Sequence, residues 1–128
     1  MRIFIFLSIF LTTFFGESFI TEKEYGEMLY KNPRGIGCNK CHGTKGEGSL
    51  IAKYKDKNAT DYYEVKIIAP PLNTLSLQEF IKGVTKQYTK QELKNRKNIG
   101  FMPEYFLTQD EIIIIYKFIK DINKEKKK

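Results

Sequence analysis

Imidazole and thiol are scarce in this 128-residue chain, which has one histidine, two cysteines and three methionines. The lone histidine excludes any centre held by two imidazoles. A closed structural zinc site needs four ligands, and beyond Cys38, Cys41 and His42 only carboxylates remain to complete one. No apolar run reaches the roughly 20 residues of a membrane-spanning helix. Internal repeats and low-complexity linkers are also missing. Past residue 18 the only arginines are Arg34 and Arg96, and neither has an evident role in the sequence.

The first residues do have a clear pattern. Arg2 precedes an apolar run from Ile3 to Phe15, which ends at Gly16-Glu17-Ser18. That is the layout of a secretory signal peptide over 1–18, with cleavage after Gly16 or Ser18; the alternative is an uncleaved membrane anchor. No cysteine lies in or just after this run, so a lipid carried on an N-terminal cysteine is excluded. Residues 19–128 are then one domain of ordinary length, placed in a periplasmic or other exported compartment where free thiols rarely persist. The net charge is +7 and stays so without Arg2 and Glu17. An exported basic domain meets little nucleic acid, so the charge suits an acidic protein or an anionic surface, or simply solubility.

Four times a Ser or Thr is followed three residues later by Glu: Thr21 to Glu24, Ser76 to Glu79, Thr89 to Glu92 and Thr108 to Glu111. Each is flanked by apolar residues as in a capping box with a hydrophobic staple. Four helix starts predict an all-α chain. Ile112 to Ile115 would favour a strand on propensity, but Ile112, Ile115, Tyr116, Ile119 and Ile122 share a helical face, which predicts a helix over 109–123. Gly26 lies inside the first helix and would let another helix approach closely. Residues 43–69 lack a clear period and read as a loop with one helical turn, and Lys124 to Lys128 read as a frayed, solvated tail.

Cys38-Asn39-Lys40-Cys41-His42 carries the chemistry. A thiol-disulfide centre normally belongs to a βαβ pattern, which is not visible here. A disulfide closing so short a loop would stabilise little and leaves His42 unexplained. Covalent haem c gives all three residues a task, with thioethers at Cys38 and Cys41 and His42 as proximal iron ligand. Met1 leaves with the leader and Met28 lies in the first helix. Met102, followed by Pro103, is therefore the candidate distal ligand; otherwise it is a core residue and the iron is five-coordinate. Either Pro70 or Pro71 could offer a carbonyl to the second ring nitrogen of His42.

Gly26 to Tyr30, Cys38 to Gly43, Pro70-Pro71-Leu72, Met102-Pro103 and the closing Leu107-Thr108 to Tyr116 together resemble a small monohaem class I c-type cytochrome over essentially the whole mature chain. The resemblance implies a compact all-α cytochrome c fold, with the first and last helices crossing near Gly26 and Tyr116. It also implies the Pro70 carbonyl on His42, and Met102 on the iron of one haem c. Residues 43–69 and 86–97 are long for that pattern.

The function so implied is transfer of single electrons by a monomer without enzymatic turnover. Leu72, Phe80, Ile81, Val84, Ile99 and Tyr105 would line the haem pocket, and Lys40, Lys45, Lys82 and Lys86 would guide transient docking to an acidic redox partner. Two other classes stay open. One is a haem-bearing subunit of a larger oxidoreductase. The other is a five-coordinate enzyme or sensor for peroxide or diatomic gases, should Met102 not ligate.

Overall fold

The computed structural model describes residues 19–95 and 101–125. The expected leader over 1–18, Arg96, Ile99 and residues 126–128 lie outside them. Among the described residues five helices and two strands follow in the order α1 (Glu22–Lys31), α2 (Cys38–His42), β1 (Ser49–Lys57), β2 (Tyr62–Ala69), α3 (Leu77–Thr85), α4 (Lys90–Asn95) and α5 (Gln109–Lys124).

All four expected capping boxes form. At α1 the Thr21 amide donates to Glu24 Oε2 over 2.9 Å and the Glu24 amide returns to Thr21 Oγ1 over 3.2 Å. The same reciprocal pair starts α3 at Ser76 and Glu79, α4 at Thr89 and Glu92, and α5 at Thr108 and Glu111. Each box satisfies two helix-end amides that would otherwise lack partners.

The isoleucine run is helical, as its period predicts. Ile112, Ile115, Phe118 and Ile119 are buried on one side of α5, where they meet Leu29 and Tyr30 of α1 and Phe80 and Val84 of α3. α1 and α5 pack closely because Gly26 has no side chain. A Cβ at that position would lie 2.8 Å from Phe118 Cβ and 2.9 Å from the Ile114 carbonyl oxygen. The crossing therefore faces Ile114 and Phe118, one helical turn apart, and not Tyr116 as the resemblance implied. The Tyr116 ring packs 5.6 Å from that of Phe80, and its hydroxyl donates to the Leu75 carbonyl over 3.2 Å. Lys124 still belongs to α5 and Glu125 pairs with Lys23 at 2.5 Å, so the frayed tail does not begin at Lys124.

The all-α expectation fails at residues 49–69. There β1 and β2 form a two-stranded antiparallel hairpin, paired from Ser49 with Ala69 to Lys57 with Tyr62 and bulged between Leu50 and Ala52. The Asn58 amide donates to the Asp61 carbonyl over 2.8 Å and closes the turn. The described residues are thus mixed α/β, with 46% helix and 17% strand. The physical reason is local: β-branched and aromatic residues from Leu50 to Tyr54 and from Tyr62 to Ile68 favour extended backbone. Most of them remain exposed, and only β2 has a more buried side, at Val65, Ile67 and Ala69.

Arg34 acquires a role that its sequence position did not suggest. Its guanidinium pairs with buried Glu111, which also accepts from Tyr25 Oη at 2.9 Å and the Thr108 amide at 2.9 Å. A buried carboxylate is tolerable only when its oxygens are matched in this way. The Arg34 contact, helped by the Thr108 amide and Tyr25, pulls the Glu111 carboxyl down to about 2.

Two outcomes follow. Gly26→Ala overpacks the crossing and lowers the unfolding free energy in urea by about 1–3 kcal/mol. An unfolded glutamate titrates near ~4.3, above the folded Glu111. Its stabilisation is therefore complete above that value and is lost as pH falls toward 2. Wild type should be more stable than Glu111→Gln at pH 7, and their stability curves should converge in acid; a pH-independent gap would refute the coupling.

Candidate functional site

α2 is a single short helix whose position comes from its neighbours. Tyr30 of α1 donates its hydroxyl to the Gly43 carbonyl over 2.6 Å. Ser49 Oγ donates to the Cys41 carbonyl over 2.5 Å, and the Gly48 amide to the His42 carbonyl over 2.8 Å. The Cys-x-x-Cys-His segment is thus clamped between the first helix and the start of the hairpin.

His42 is 7% exposed, and its Nδ1 lies 2.8 Å from the Pro70 carbonyl oxygen. A carbonyl can only accept, so Nδ1 bears the proton. Burial pulls the imidazole pKa below its usual value, opposed only in part by that hydrogen bond. The favoured state is the neutral ring protonated at Nδ1. Nε2 then keeps its lone pair, the condition a histidine needs to ligate a metal. Of the two prolines left open by the sequence, Pro70 makes the contact. Its carbonyl is presented at the end of β2, the strand that sequence reasoning read as loop.

A cavity of about 460 Å³ opens beside α2, a size in the range of small-molecule and cofactor sites. Cys38, Cys41, His42 and Met102 all contribute to its wall, although Met102 is 60 residues beyond His42 in sequence. No family model, curated protein or solved structure matches this chain. The chemistry of the wall must therefore be read from its own residues.

Neither cysteine is in a disulfide. Burial pushes the Cys38 thiol up to about 11, the opposite of the depressed pKa that activates thiols in disulfide exchange. Leu72, Phe80, Val84 and Tyr105 line the cavity as expected, with Pro70 at its edge. Ile81 instead packs against the helical core, and Ile99 is outside the described residues. The sequence reading missed the hairpin's contribution of Ile51, Ile67, Ile68 and Ala69, together with Tyr88 and Phe101. Alternation from Tyr63 to Ala69, with Val65, Ile67 and Ala69 on the more buried side, was the available signal. Among the described residues, no three or more His, Cys, Asp and Glu side chains gather as a metal cage.

The expected docking lysines are less uniform than the sequence suggested. Lys40 is exposed, and Lys45 is half-buried near Glu47. Lys82 pairs with Glu92 at 3.2 Å and Lys86 with Glu104 at 3.8 Å. The charges of Lys82 and Lys86 are thereby balanced within the chain. Among the described residues no helix is long and apolar enough to cross a membrane.

Gly48 governs the join between α2 and the Pro70 carbonyl. Its φ is +82°, and a Cβ there would lie 2.7 Å from the Ala69 carbonyl oxygen and 2.9 Å from Pro71 N. Gly48→Ala should therefore cost about 1–3 kcal/mol in denaturant unfolding. It should also shift or abolish the hydrogen-bonded His42 ring N–H proton signal in NMR. An unchanged signal would mean that Gly48 does not set this contact.

Proposed function

We propose that this chain is an exported monohaem c-type cytochrome that carries single electrons between redox partners. The observation that carries the reading is the His42 imidazole, which is buried, protonated on the nitrogen facing Pro70 and therefore unprotonated at Nε2, and which lines one cavity with both cysteines and Met102. Cys38 and Cys41 would hold haem c through thioethers, and His42 and Met102 would be the residues that bind its iron. When bound, the haem supplies an iron couple that gains and loses one electron.

The chain's own residues do the rest. The Pro70 carbonyl fixes the His42 tautomer and ring orientation and increases the basicity of Nε2. Leu72, Phe80 and Val84 keep water from the cavity wall, which favours the less charged state of any redox centre there. Tyr105 donates its hydroxyl to the Ile36 carbonyl over 2.8 Å, tying the segment after Met102 to the residues just before Cys38. A thioether on a segment tied down in this way is a better fixed ligand than one on a free loop. This reading makes the chain a carrier, with an acidic protein as its transient partner, and not a catalyst. It does not require an all-α fold.

The test is the intact mass of protein exported from a host that attaches haem. The processed chain plus one haem, with no free thiol, is the expected result. In the oxidised protein the weak near-infrared iron-thioether band should be present. It should vanish in Met102→Ala, which becomes high-spin with the haem still attached, and persist in Met28→Ala, whose residue is 57% exposed on α1. A bare polypeptide sinks the haem reading. A high-spin spectrum in the unmutated protein sinks the carrier reading.

A further inference from the structure

We propose that the outer edge of β1 is a docking edge for an extended acidic segment of another protein, which adds to the hairpin as a third strand. The proposal is independent of what the cavity holds.

The sheet consists of two strands, and the edge of β1 away from β2 has no strand partner among the described residues. Such an edge exposes backbone donors and acceptors ready to pair with another strand. Every residue of β1 after Ser49 is exposed, and the tie to α2 is at Ser49, the start of the strand. The side chains set which strand can use it. Lys53, Lys55 and Lys57 alternate along β1 and so stand on one face, about 6.8 Å from one to the next. The residues opposite them are Lys66, Glu64 and Tyr62. Glu64 is the only carboxylate on that face of the paired strands. It lies 3.3 Å from Lys66 and 3.9 Å from Lys53, and Lys57 sits over the Tyr62 ring at 5.5 Å. Four lysines facing one glutamate leave the face strongly positive.

This arrangement selects among possible occupants. A second copy of β1 would set lysines against lysines, so the charges guard the edge against self-pairing. An extended chain with a carboxylate at every second residue repeats at the same spacing and places each one beside a lysine. Its backbone meets the open edge at the same time, which is strand addition. The opposite face of β1 carries Ala52, Tyr54, the latter 47% exposed, and Asp56, which accepts from Tyr63 Oη at 3.1 Å, so the partner's intervening residues beside Ala52 and Tyr54 would be apolar. An anionic membrane or a nucleic acid would answer the charge but leave the edge unpaired.

The experiment uses the full processed protein and a fluorescein-labelled peptide of alternating glutamate and valine, read by fluorescence anisotropy at low ionic strength. Binding is expected, weakening as salt rises. The same residues rearranged as a glutamate block followed by a valine block should bind at least about tenfold more weakly, as should the alternating peptide with a central proline, which cannot complete the ladder. Hydrogen exchange should slow in Ser49–Lys57 more than in Tyr62–Ala69 when the alternating peptide is bound. Lys53→Gln/Lys55→Gln/Lys57→Gln should lose binding, whereas Lys82→Gln/Lys86→Gln should keep it. Because the first variant could open the hairpin, the peptide series on the unmutated protein stands as the independent measurement. Equal affinity for the alternating and block peptides, no peptide binding, or binding only to phosphatidylglycerol vesicles or duplex DNA would each overturn the proposal. A normal haem spectrum with no peptide binding would remove this inference alone.

Discussion

A single hydrogen bond, from His42 Nδ1 to the Pro70 carbonyl, ties the chemistry-bearing helix to the strand that ends beneath it. Its two ends belong to different local structures. His42 is placed by α2, which is too short to hold itself and depends on Tyr30 and Ser49. Pro70 is placed by β2, which keeps its register only through pairing with β1. If either support slackened, Nδ1 would lose its acceptor and the ring would be free to exchange tautomers. An imidazole so buried gains its definition from that acceptor.

Around this bond the helices act as a frame, secured by polar contacts at its corners. Glu111 completes a capping box and receives Arg34 and Tyr25, so the start of α5 is joined to α1 and to the loop before Cys38. At the other end, Lys120 donates to the carbonyls of Asn73 and Leu75 over 2.7 and 2.8 Å. That lysine holds the segment after Pro71 against α5, close to where Leu72 enters the cavity wall. Exposed pairs such as Lys117 with Glu22 contribute little by comparison.

The sequence made the helices legible because capping boxes are short-range chemistry: Thr21, Ser76, Thr89 and Thr108 act on partners three residues away. The isoleucine run was legible through its period, and Cys38, Cys41, His42 and Met102 through residue type and spacing. The hairpin was hard to read because β1 is exposed from Leu50 onward and alternates lysine with tyrosine and aspartate at its end, while the polar-apolar alternation of β2 is confined to Glu64–Ile67. Its error carried into the fold class, and it hid Ile67 and Ala69 from the expected wall. The partner of Gly26 was misplaced for another reason. Which residue of a facing helix meets a glycine depends on crossing geometry, which periodicity along one helix does not contain.

The pairing of α1 with α5 joins the two ends of the described chain. Contacts so distant in sequence form late, because the intervening loop must close first. As the polypeptide is made from its amino terminus, Cys38 and Cys41 emerge long before the Ile112 to Ile119 segment that seals the interior. Until that segment packs, the helical core against which Cys38 rests is incomplete. The order of synthesis thus leaves both thiols less enclosed early on than in the finished fold, where each is partly buried.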